Sequence, residues 1–248
     1  MDLLRALFTG RRLLATLVVA LGVVVLCGFG FWQLDRGRQR AALNARIDSR
    51  MSAAPLALDG GPVDADALDY RRVTVRGTFD SSQEIVLRNR SFGGVTGVHV
   101  LTPLRLANGT GVLVDRGWLP MELAGPAARR PYGPPPGEVT IEGVARQSQH
   151  NLRAPVDPPL APGEARLDAW FRVDIPRIQQ QVGSPLLPIF IEHQPAPDAP
   201  ELPARTATRD LGPGPHLSYA IQWFSFAVIM VGAYLAWTYQ QLRRPREA

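Results

Sequence analysis

The 248-residue chain contains no lysine: all 27 of its basic residues are arginine. Arginine alone suits phosphate recognition, but a coding bias toward arginine explains the same composition. A formal net charge of +5 does not point to nucleic acid, because much of the excess sits beside two uncharged runs, at Arg5, Arg11 and Arg12 and at Arg243, Arg244 and Arg246. Arginines in such positions suit anionic lipid headgroups. Cysteine is nearly absent. The single Cys27 lies inside an apolar run, which excludes a disulfide framework, thiol redox chemistry and a cysteine-based copper or zinc site. Histidine is scarce too, and His99, His150 and His193 have no ligand-type neighbour at a metal-binding spacing. There is no glycine-rich phosphate loop, nucleophile elbow or His-Glu zinc motif. An enzyme would have to work through a dispersed constellation, so the chain is read as non-enzymatic.

Charge is missing altogether from Leu13 to Leu34 and from Leu217 to Thr238. As a helix each run is ~33 Å long, enough to cross a hydrocarbon core of roughly 30 Å. The first run is too long for the apolar part of a secretion signal and is followed by no small-residue cleavage site, so it is expected to remain as an anchor. Leu26, before Cys27, is too large for lipoprotein processing. Orientation is ambiguous from charge. The arginines at both ends place both termini on the cytoplasmic side, but Arg36, Arg38, Arg40, Arg46 and Arg50 follow the first run closely and argue the other way.

Between the runs the pattern changes. Leu43, Ile47 and Met51 recur every four residues, as in an amphipathic helix leaving the membrane. Strands are expected at Tyr70–Phe79, Glu84–Arg90, Val95–Leu104, Thr110–Arg116, Glu138–Arg146, Trp170–Asp174 and Leu187–His193. Asn108-Gly109 marks a hairpin. A short helix fits Ile175–Val182, with Gly183 as its cap. Proline clusters at Pro131–Pro136, Pro155–Pro162 and Pro195–Pro203 mark loops. The expected fold is a membrane protein whose two terminal helices flank a β-rich domain, a small and partly open antiparallel barrel or sandwich with one short helix. The expected segments are a tail at 1–12, a span at 13–34, the β-rich domain at 35–215, a second span at 216–238 and a tail at 239–248.

Two constellations stand out. His216, Tyr219, Ala220, Trp223 and Ala227 fall on one helical face after Pro215. Together they offer a metal-capable imidazole, two aromatic rings and small gaps, which suits a flat apolar cofactor such as haem. An aromatic belt at the membrane interface gives the same pattern. Trp32 and Gln33 end the first run at the same depth, so the two helices can close one pocket. The second constellation is Asp115-Arg116-Gly117-Trp118, expected as a sharp turn at a strand end before Pro120. It either presents Arg116 and Trp118 to a partner or is a structural turn with an exposed Asp–Arg pair.

Five segments in order resemble the Surfeit locus protein 1 family, assembly factors of cytochrome c oxidase. They are FWQLDRGRQR at Phe31–Arg40, LDYRRVTVRGTFD at Leu68–Asp80, DRGWLP at Asp115–Pro120, GEVTIEGVAR at Gly137–Arg146 and HLSYAIQWF at His216–Phe224. The resemblance implies a multi-pass cell (plasma) membrane protein with both termini cytoplasmic and the β-rich domain extracytoplasmic. It implies a role in maturing the haem-copper oxidase, handling haem a near subunit I alongside the haem a synthesis machinery. It makes His216 a haem ligand, and the helical spacing and depth put Tyr219, Trp223 and Trp32 beside it as further haem contacts. The sequence departs from the family at Gly214-Pro215, where members often carry Asn or Glu, so the stretch before His216 offers the ring only backbone carbonyls. The alternatives are a haem-free structural assembly chaperone and a membrane-anchored ligand-binding or hydrolase domain.

Overall fold

The computed structural model describes residues 7–149, 156–159, 164, 166–197, 200–205 and 211–243. His150, Arg5, Arg244 and Arg246 lie outside the described residues. The chain divides into two compact units, one of residues 1–46 with 210–248 and one of residues 47–209.

The first unit is a helix pair. Helix α1 (Arg11–Ser52) absorbs the first apolar run and the amphipathic stretch after it without a break, so its last residues belong to the second unit. Helix α5 (His216–Arg243) carries the second run. Both are long and apolar enough to cross a membrane. Their shared seam can be read from its contacts. A Cβ on Gly22 would meet Met230 at 2.9 Å, and one on Gly30 would meet the Phe224 ring at 2.6 Å. Glycine at these positions leaves room for side chains of the other helix, the use of small residues at helix–helix seams.

Among the described residues the second unit has eight strands: β1 (Leu56–Leu58), β2 (Arg72–Phe79), β3 (Ile85–Phe92), β4 (Val95–Arg105), β5 (Gly111–Pro120), β6 (Glu138–Gln147), β7 (Ala169–Trp170) and β8 (Leu186–His193). The sheet order is β1-β2-β6-β8-β5-β4-β3-β7, and β2 also pairs with β4 through Thr78↔Arg105 and Phe79↔Leu104. That pairing closes a five-stranded barrel of β2, β6, β8, β5 and β4. Counted in chain order, the circuit runs 1-2-3-5-4-1, the connectivity of an OB-fold. The barrel is thus closed rather than partly open. It is not wholly antiparallel either, because β5 and β8 run parallel. A parallel pair needs a long crossover, and the chain between these strands supplies it.

Alternation explains the packing. Val73, Val75, Leu104, Val112, Val114, Ile141, Ile189 and Ile191 form one cluster, to which β2, β4, β5, β6 and β8 all contribute, as the barrel interior requires. On β4, β5 and β8 the opposite face is covered too: Leu101, Leu113 and Phe190 join Trp170, Ile175 and Ile178 in a second cluster. These strands therefore read as nearly continuous apolar runs, because neither face meets water. Among the described residues, short helices decorate the barrel: α2 (Ala65–Leu68), α3 (Pro126–Arg129) and α4 (Ile175–Ile178). The expected helix at Ile175–Val182 is α4 extended by a tighter turn to Gln181. The strand expected at Trp170–Asp174 shortens to β7, since Asp174 caps α4.

Candidate functional site

In the helix pair, His216 is the first residue of α5. Its side chain lies at one end of the seam that continues through Ala220, Phe224, Ala227, Met230 and Tyr234. Its Nδ1 is 2.9 Å from Oε1 of Gln33 on α1. An amide oxygen can only accept, so Nδ1 carries the proton and the lone pair is on Nε2. A Cβ on Gly37 would sit 3.3 Å from the Cβ of His216, and one on Gly214 would sit 3.5 Å from Nε2. The ring is therefore held from α1 through Nδ1, and its Nε2 edge faces a residue with no side chain. The expectation that only backbone carbonyls could serve the ring is corrected: the acceptor comes from the other helix.

The other expected residues divide. Trp223 stacks on Phe29 of α1, with centroids 5.0 Å apart. Trp32 does not meet it directly; with Val25, Gly28 and Phe29 it lines an apolar groove of about 390 Å³ on α1. Tyr219 is exposed. Ala220 and Ala227, expected to leave gaps for a flat ring, are buried in the seam, at 1% and 5% exposure. The helices have closed over the space that the small side chains vacate. Further bonds fix the pair. Thr16 Oγ1 and Tyr234 Oη are 2.7 Å apart, and Asn44 Nδ2 donates to the carbonyls of Leu211 and Gly212.

In the β-rich unit, Asp115–Pro120 is not a strand-end turn. Strand β5 runs through it to Pro120, and the register steps from Val100↔Gly117 to Leu101↔Asp115, which leaves Arg116 as an extra residue, a β-bulge. Gly117 has φ +127°, and a Cβ there would lie 2.6 Å from the carbonyl oxygen of Ala204. The segment at Ala204 crosses at this point, with paired backbone bonds of 2.8 Å to Trp118. Arg116 does not form the exposed pair with Asp115. It is 5% exposed and donates to Glu84 Oε2 at 2.8 Å, Thr102 Oγ1 at 2.9 Å and the Tyr132 carbonyl at 2.9 Å. Glu84 also accepts from Arg129 Nε at 3.0 Å, and Arg129 reaches Asp168. Trp118 is 7% exposed, with its Nε1 donating to the Arg90 carbonyl and Phe92 covering its ring. Arg116 and Trp118 thus sit inside the domain and staple its loops together.

Asp115 points elsewhere. Its carboxylate lies 2.8 Å from His99 Nδ1 and accepts the Gly117 N–H. Burial alone would depress the His99 pKa, but Asp115 outweighs it and the net shift is upward. Burial, with Arg205 and Arg116 nearby, pushes His193 down to about 4. Among the described residues no group of three or more metal-ligating side chains forms. Sequence reasoning missed Glu84, Arg129 and Asp168 as a network. The one signal was a single carboxylate opening the apolar strand Glu84-Ile85-Val86-Leu87. It also placed Gln33 near the site without seeing it as the partner of the imidazole.

Residues 20–228 match the model of a family described as the SURF1 family. The chain is similar to "SURF1-like protein" of Monosiga brevicollis, 30% identical over 224 residues that cover 86% of this chain and 83% of the relative. It is also similar to "Surfeit locus protein 1" of Homo sapiens, 30% identical over 226 residues covering 85% and 73%. The Mus musculus protein of the same name is 30% identical over 212 residues covering 79% and 67%.

Proposed function

Since the chain belongs to the SURF1 family, we propose that it is an assembly factor for haem-copper cytochrome c oxidase which binds haem a through His216, without itself being an enzyme. It works in the cell membrane with both termini cytoplasmic and the β-rich domain outside. There it meets subunit I of the oxidase and the machinery that makes haem a. One observation carries the haem reading: the His216 imidazole is bonded through Nδ1 to Gln33, with Nε2 left as the donor.

The residues present fit a single imidazole ligand. Haem, when bound, would supply an iron that accepts an imidazole nitrogen. His216 presents Nε2, Gln33 holds the opposite nitrogen, and the Phe29–Trp223 stack provides an apolar flank. Because Ala220 and Ala227 are buried, a bound haem would be held at the His216 end of the seam. Tyr219 and Trp32, both exposed, serve as apolar contacts at that depth. Arg116 and Trp118 serve partner binding indirectly, by shaping the loops they staple.

The same closed seam favours a second reading, a structural chaperone that binds no haem. Co-expression with a haem a synthesis pathway separates the two. Wild-type protein is expected to purify with a Soret band, His216→Ala to lose most of it, and His150→Ala to keep it. Equal haem in all three, with unaltered spectra, overturns the haem reading.

A further inference from the structure

We propose that Gln33 is the positioning residue of His216, fixing its ring as the Nδ1–H tautomer, and that Gly214 keeps the Nε2 edge open to a ligand. The inference rests on the haem reading of His216 for its purpose, but it stands on contacts within the helix pair. Neutral imidazole exchanges its proton between two nitrogens, and the neighbour of one nitrogen decides which carries it. Here the neighbour is an oxygen, Oε1 of Gln33 at 2.9 Å. Gln33 is 183 positions away in sequence, on the other helix, so the tautomer depends on how the helices meet. Gly37 lets them meet there: a Cβ at that position would lie 3.3 Å from His216 Cβ. The far edge of the ring has a matching feature. Gly214 has φ +71°, and a Cβ built on it would crowd Cδ2 at 3.3 Å and Nε2 at 3.5 Å. Among the described residues Nε2 has no hydrogen-bond partner. One nitrogen is thus bonded and the other bare, the arrangement in which a second partner orients a metal-binding histidine.

The test uses the full chain in lipid nanodiscs with ¹⁵N-labelled histidine and no haem, at a pH where the ring is neutral. The His216 signals are assigned by their loss in His216→Ala. Wild type is expected to show a protonated Nδ1 and a bare Nε2. Gln33→Leu is expected to shift the proton toward Nε2, whereas Gln33→Glu, which still accepts, should leave it on Nδ1. Haem a affinity, titrated by absorbance, should fall about 10- to 100-fold in Gln33→Leu, the usual cost of losing such a partner. Gly214→Ala should leave the tautomer unchanged and still weaken haem binding. A wild-type signal with the proton on Nε2, or a Gln33→Leu spectrum identical to wild type, overturns the assignment of Gln33. A tautomer shift in Gln33→Leu together with full haem binding by His216→Ala upholds Gln33 as the positioning residue and overturns the haem reading alone.

Discussion

Replacing Glu84 with alanine removes the carboxylate that joins two buried arginines of the β-rich unit, Arg116 and Arg129. The two are not affected alike. Arg129 keeps Asp168, at 2.9 and 3.1 Å. Arg116 keeps only neutral acceptors, Thr102 Oγ1 and the Tyr132 carbonyl. A guanidinium with a side chain 6% exposed is then buried without its counter-ion. Breaking a buried pair in this way costs about 3–5 kcal/mol, mostly because the remaining charge is desolvated. The readout is taken on the strands that carry the network. Amide hydrogen exchange of β3, β4 and β5 in the full chain should accelerate about 10²- to 10⁴-fold. The double variant Glu84→Leu with Arg116→Met should recover much of the loss, since an apolar pair leaves no orphaned charge. Acceleration below about tenfold in Glu84→Ala would mean that water reaches Arg116 and would refute the reasoning.

Three other expectations follow from the same geometry. Gly117→Val should cost about 2–6 kcal/mol, from a positive φ together with the clash at Ala204. Arg116→Ala leaves Glu84 its bonds from Arg129 and Thr102 and should cost less, about 1.5–3 kcal/mol; a loss under about 1 kcal/mol, measured by hydrogen exchange, would restore the exposed-pair reading. Stability of the β-rich unit should peak near pH 6.5. The His193 pKa is depressed to about 4, so the unfolded chain binds more protons between pH 4 and about 6.5, and stability rises over that window by about 3 kcal/mol. The His99 pKa is raised, with Asp115 and Glu192 favouring its charge and Arg90 opposing it. Its contribution is complete below pH 6.5 and is lost as pH rises through its folded value. His193→Gln should flatten the acid limb and His99→Gln the alkaline one; an unchanged profile in either variant counts against the assignment. Finally, a reporter fused after Ala248 should be active only in its cytoplasmic form, and labelling of that end from outside would reverse the proposed orientation.

Much of the fold was legible in the sequence because most of it is set by local pattern. The two uncharged runs could only be long apolar helices. Alternating or continuous apolar runs bounded by turn residues located seven of the strands, and Asn108-Gly109 marked the β4–β5 hairpin. What escaped were features made by distant residues. Closure of the barrel depends on Thr78 and Phe79 meeting Arg105 and Leu104, and no local pattern reports that. β1 is three residues long, too short for alternation to register. The bulge at Arg116 looked like a turn because Gly117 and Pro120 are turn residues; the crossing at Ala204, far along the chain, makes it a strand instead. In the candidate site the imidazole was visible from helical spacing. Its partner Gln33 was not, since it comes from the opposite end of the sequence. Nor does helical spacing report that Ala220 and Ala227 are buried rather than open.

The central claim, that this chain assists assembly of the haem-copper oxidase, is tested most directly by deleting its gene and measuring haem a per subunit I in isolated membranes. The deletion is expected to lower that ratio and the oxidase activity together. Wild-type protein should restore both, and His216→Ala should restore subunit I without its full complement of haem a. Membranes of the deletion strain that hold fully haem-loaded, fully active oxidase would contradict the account.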